Sequence, residues 1–107
     1  GDDGYIRDDG VIGRLGQDLF HVTTTTGGAA RVMNMMEDYL QTEWPDLDVW
    51  LTSTTERWAV VALNGPEARR VLEPLVEGLD VSNEAFPMMS VADWKLANWS
   101  ASILRAL

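Results

Sequence analysis

The sequence predicts an α+β fold, a ferredoxin-like ββαββα sandwich followed by a C-terminal β-hairpin. Three patterns predict it. Trp58-Ala59-Val60-Val61-Ala62-Leu63 is a continuous apolar run, too short for an ordinary helix and bounded by polar residues, as in a strand covered on both faces. Val32, Met35, Met36, Tyr39 and Leu40 recur at the spacing that gathers side chains on one face of an α-helix. Leu47, Val49 and Leu51 alternate with Asp48, Trp50 and Thr52, the period of a half-buried strand.

Residues 1–10 are polar and punctuated by glycine, and form a lead-in to the first strand, residues 11–15. Gly16-Gln17-Asp18 turns that strand, and residues 19–24 return antiparallel. Gly10, Gly13 and Gly16 do not have the spacing of a dinucleotide-binding loop and precede no helix, so they mark turns and a twisted strand. Thr23-Thr24-Thr25-Thr26-Gly27-Gly28 opens the first helix. That helix should end between Thr42 and Trp44, because Pro45 disfavours helical geometry in the residue before it. The strand at 47–51, a polar turn at 53–56 and the strand at 58–63 then make a second hairpin. Asn64 or Gly65 can cap a second helix with Pro66 and Glu67 in its first turn, and Ala68, Val71, Leu72 and Leu75 give it a sheet-facing side. After turns at 78–80 and 82–83, extended runs at 88–94 and 99–104 flank a turn at 95–98. Antiparallel strands with two helices on one face give the ferredoxin-like sandwich.

At 107 residues the chain is expected to be one domain or part of one, and 46% hydrophobic content supports a folded core. Five tryptophans mean either an aromatic-rich core or a surface that meets something else. A formal net charge of −9 repels phosphate backbones and anionic lipid, so neither nucleic acid nor membrane is an expected partner. With no cysteine there is no disulfide and no thiol chemistry, which fits a reducing compartment. No stretch approaches a membrane span, and the acidic start lacks the basic and apolar regions of a secretory signal. A cytoplasmic location is therefore expected.

Few residues announce chemistry. The threonines and glycines at 23–28 could offer hydroxyls and free N–H groups to a polar ligand at a helix mouth, or simply cap the helix. Asp8 and Asp9 could direct a carboxylate at a ligand amine. As neighbours on an extended chain they point oppositely, which makes them a poor acid–base pair and a poor metal site; no metal is expected. His21 lies in a strand between Phe20 and Val22 and reads as structural, and the five methionines read as adaptable packing.

Leu63-Asn64-Gly65-Pro66-Glu67-Ala68, with Leu72 beyond, resembles a signature of the glycine-cleavage T-protein (aminomethyltransferase) family. Asp8-Asp9-Gly10-Val11-Ile12, then Leu19-Phe20-His21-Val22, and later Phe86-Pro87-Met88-Met89-Ser90-Val91 fall in that family's order and approximate spacing. Thr23 to Gly27, Gln41 to Pro45 and Leu51-Thr52-Ser53 are most similar to the branch of the family found in sarcosine oxidase α subunits. The resemblance covers roughly residues 5–92.

The resemblance implies roughly half of a T-protein-like folate-binding domain, excised from a larger chain, with tetrahydrofolate as cofactor. It implies that Asp9 lies by the reactive folate nitrogen as the catalytic and cofactor-binding carboxylate. A folate contact that is commonly asparagine in the family falls on Thr25. The parent enzyme would demethylate sarcosine oxidatively and pass the one-carbon unit to tetrahydrofolate as 5,10-methylenetetrahydrofolate, with its flavin and NAD sites elsewhere. The family's pterin-gripping glutamate segment would follow Ser102 to Arg105, where this sequence has only Ala106 and Leu107. The fragment alone is therefore expected to be inactive, to bind folate weakly or not at all, and to self-associate through apolar surface that would otherwise meet the rest of the α subunit, the other oxidase subunits completing the set of partners. Without the resemblance, the same features describe a stand-alone ferredoxin-like small-molecule-binding or protein-interaction module.

Overall fold

The structure, a computed structural model, describes residues 1–105. It contains strands β1 (Ile12–Arg14) and β2 (Phe20–Val22), helix α1 (Ala29–Thr42), helix α2 (Ala68–Leu72), and strands β3 (Ser90–Leu96) and β4 (Trp99–Arg105). β1 pairs with β2 and β3 with β4, giving two two-stranded sheets. The chain divides into two compact units: Gly1–Val11 with Val22–Val60, and Ile12–His21 with the chain from Val61 onward.

In the first unit, Thr23 fastens the end of the lead-in segment. Its N–H donates to Val11 O at 2.9 Å, and its hydroxyl both accepts from Val11 N and donates to Val11 O. A 3-10 turn at Thr26–Gly28 runs directly into α1, with Thr25 as its N-cap. The helix ends where Pro45 predicts. Glu43 N and Trp44 N both donate to Tyr39 O, and the Trp44 ring folds back edge-on against Tyr39, 5.5 Å between centroids. The expected apolar face of α1 is present, with Val32, Met36 and Leu40 half-buried and Met35 and Tyr39 more exposed.

The second unit holds the densest packing, around Val76 (1% exposed), Val81 (5%) and Phe86 (6%). These residues lie in the connection between α2 and β3, a stretch with no helical or strand period. Trp94 of β3 reaches back to donate from Nε1 to Glu77 O at 3.0 Å. Arg105 donates to Phe86 O and to Asn83 Oδ1, and Arg69 donates to the same Asn83 oxygen, so two guanidinium groups share one neutral acceptor. The Val91 side chain packs over Gly13 of β1. β3 and β4 pair antiparallel from Ser90 opposite Arg105 to Leu96 opposite Trp99, leaving Ala97 and Asn98 to turn.

The outer hairpins therefore form as expected, and the middle one does not. Residues 47–51 and 58–63 are not strands, residues 58–63 are all exposed, and Thr55–Arg57 between them is a 3-10 turn. A strand needs a partner for its N–H and C=O groups, and neither run has a strand partner among the described residues. The apolar pattern reports what a segment would do if covered; it does not report the cover. The second helix is also shorter than expected. It starts at Ala68 with Glu67 as N-cap instead of Asn64 or Gly65, and Gly65 (φ +121°) turns the chain so that Ala68 N donates to Gly65 O. Pro74 has no N–H to continue the ladder, and the chain tightens into a 3-10 turn at Glu73–Leu75. The described order is thus ββααββ in place of ββαββα plus a hairpin.

Candidate functional site

Asp8, Asp9 and Thr25, three residues singled out in the sequence, come together in the first unit. The agent is Asp8. Its Oδ1 accepts from Thr25 N at 2.9 Å and from Asp9 N at 2.9 Å, and its Oδ2 accepts from the Thr25 hydroxyl at 2.9 Å. Arg31, in the first turn of α1, places Nη2 3.4 Å from Oδ2 and donates to Arg7 O at 2.6 Å. The Asp8 side chain is 10% exposed. The Thr25 N–H foremost, then the Thr25 hydroxyl, the Asp9 amide and the Arg31 charge hold the Asp8 carboxyl below the usual carboxylate range, against the opposing effect of burial. Asp8 is an ionised anchor.

Thr25 works in both directions. Its hydroxyl gives its proton to Asp8 and accepts from Gly28 N at 3.1 Å, while Gly28 N also donates to Thr25 O. Gly28 is buried, and a Cβ there would come within 1.6 Å of Asp8 Oδ2. Gly10 is equally constrained, since a Cβ on it would lie 1.9 Å from Thr23 O. Between these fixed points, Asp9 is exposed and its Oδ1 accepts from Gly10 N at 2.8 Å.

The sequence singled out the acidic pair and the threonine run, and missed Asp8 as the anchor together with Gly28 and Arg31. No local pattern links an aspartate to a threonine seventeen positions away. The usable signal was Gly27-Gly28 directly after the threonines, where a missing side chain permits a close approach. His21 is half-buried in β2. Among the described residues there is no group of three or more potential metal ligands, and no helix long and apolar enough to cross a membrane.

Comparison with known proteins gives this arrangement its family. The profile of the GCVT N-terminal domain matches residues 1–106. The chain belongs to the GCVT N-terminal domain family. It is 57% identical over 91 residues, 85% of the chain, to the sarcosine oxidase subunit alpha of Corynebacterium sp. (strain P-1), covering 9% of that protein. It is 45% identical over 95 residues, 89% of the chain, to the sarcosine oxidase subunit alpha of Rhizobium meliloti (strain 1021), covering 10% of it. A shorter match, 58% over 33 residues (31% of the chain and 9% of the relative), is to an aminomethyltransferase of Rubrobacter xylanophilus. The chain thus spans about a tenth of the length of the relatives it matches. Both branches of the GCVT family named by the sequence resemblance are present among these relatives.

Proposed function

We propose that this chain is part of the folate-binding domain of a cytoplasmic sarcosine oxidase α subunit, with Asp9 as the carboxylate that faces the ligand. The observation that carries this is the exposed Asp9 carboxylate, beside an anchored Asp8, in a chain 57% identical to such a subunit. In the whole enzyme sarcosine would be oxidatively demethylated at sites on other parts of the protein, where flavin and NAD belong. The remainder of the α subunit and the other oxidase subunits are the proposed partners.

The described residues fit a reduced folate in a specific way. Tetrahydrofolate, when bound, supplies the amine nitrogen that accepts the one-carbon unit. Asp9 holds a negative charge against the positive charge that develops on an amine or iminium, and it can take or steer a proton there. Thr25 has a narrower role. Its proton is committed to Asp8 and one lone pair to Gly28 N, so the hydroxyl can serve a ligand only as an acceptor, from an N–H or O–H group.

A tryptophan-fluorescence titration of the chain with a stable reduced folate, corrected for inner-filter absorption, tests the assignment. Saturable quenching that disappears in Asp9→Ala means that this part of the domain already builds the Asp9 side of the site, and no response moves the same titration to the intact α subunit. Equal quenching in both proteins removes Asp9 from the site. Turnover of sarcosine by the isolated chain, expected to be absent, would contradict the division of labour with the rest of the enzyme.

A further inference from the structure

We infer that Asp8 is the positioning residue for Asp9: it ties the Asp8–Asp9 peptide to the mouth of α1 and so fixes the direction of its neighbour's carboxylate. This rests on Asp9 being the ligand-facing group. One atom makes the link, because Asp8 Oδ1 accepts from both Thr25 N and Asp9 N. The Asp9 backbone is thereby registered to the N-cap of the 3-10 turn that leads into α1. Asp8 Oδ2 completes the clamp through the Thr25 hydroxyl and Arg31.

The other side of Asp9 is fixed by different atoms. Gly10 runs so close to Thr23 O that no side chain fits, and its N–H holds Asp9 Oδ1. With both flanking residues pinned, few Asp9 rotamers remain. Aspartate suits position 8. Asparagine would replace one acceptor by a donor facing the Thr25 hydroxyl and Arg31, and glutamate would need space that Gly28 and Thr25 already occupy. The adjacent carboxylates thus have separate tasks, one half-buried and bonded, the other exposed.

The test needs no ligand. In isotope-labelled protein, the carboxylate carbon of Asp9 and the amide of Gly10 should shift in Asp8→Ala and in Gly28→Ala, and keep wild-type positions in Thr25→Ser, which preserves the hydroxyl. A residue that merely capped α1 would change amide-exchange protection in the first turn and leave Asp9 unmoved. Wild-type Asp9 and Gly10 signals in a folded Asp8→Ala or Gly28→Ala protein would overturn the inference. If Asp8→Ala does not fold, Asp8→Ser, which is too short to reach Thr25 N and Asp9 N together, is read by the same signals. A folate titration separates the two claims. Gly28→Ala should bind about tenfold more weakly than wild type, the equivalent of about 1.4 kcal/mol of lost contact with the displaced carboxylate. Absence of folate binding by the intact α subunit, with the resonance shifts intact, sinks the folate assignment and leaves the positioning role standing.

Discussion

Gly28 and Asp8 compete for one space: a Cβ on Gly28 would sit 1.6 Å from Asp8 Oδ2. Gly28 has φ −92°, an ordinary value, so room and not backbone freedom requires glycine there. Gly28→Ala should therefore lower stability by about 1–3 kcal/mol, the usual cost of forcing a methyl into filled space. Gly27 is the internal control. Nothing lies within 4 Å of a Cβ on it, and Gly27→Ala should stay within about 0.5 kcal/mol of wild type. Urea midpoints of the two variants decide the comparison.

Acid should weaken the fold through Asp8. Its carboxyl is held below the usual range chiefly by the Thr25 N–H, so its contribution is complete above the unfolded-state value, about pH 4. That contribution is lost as pH falls through the lower folded-state value. Asp80, whose carboxylate accepts from Ser82 N at 2.9 Å, is shifted the same way and adds to the slope. Urea midpoints measured downward from pH 6 should fall less steeply in Asp8→Ala than in wild type. Parallel curves would show that Asp8 binds protons alike in both states.

Ala97, in the turn between β3 and β4, has φ +53°, a left-handed value that costs a residue with a Cβ. Ala97→Gly should stabilise the hairpin by about 0.5–1 kcal/mol, and a β-branched residue should do the reverse. The N–H of Ala97 donates to Leu75 O at 2.8 Å, so proline should be the worst replacement of all. Thermal unfolding midpoints of the three variants should rank in that order.

Val60 and Val61 are 86% and 87% exposed. Val61→Lys should change stability by no more than about 0.5 kcal/mol, because little packing is lost. The same change should reduce self-association, which contiguous exposed apolar surface promotes. Sedimentation velocity at rising concentration reads this directly, and an unchanged distribution would place the self-associating surface elsewhere.

Local rules sufficed where one residue controls a boundary. Pro45 placed the end of α1, and the polar letters around Ala97 and Asn98 placed the last turn. They failed at Trp58 to Leu63, where composition fits a covered strand and the described residues supply no partner for one. They also failed at Val76, Val81 and Phe86, which lie buried in an irregular connection where no period exists to be read. At the site, the acidic pair and the threonine run were visible as letters. The division between Asp8 and Asp9 was not, because it depends on a contact closed across seventeen positions and on the side chain that Gly28 lacks.

Asn83 holds a pair of like charges together in the second unit. Its side-chain oxygen serves Arg69 and Arg105 together, two cations on a neutral amide. Aspartate has nearly the same shape as asparagine and differs by carrying a charge. At this position its carboxylate would meet two guanidinium groups already in place, and an exposed ion pair of that kind contributes about 0.2–1 kcal/mol. Asn83→Asp should therefore unfold at a slightly higher midpoint than wild type.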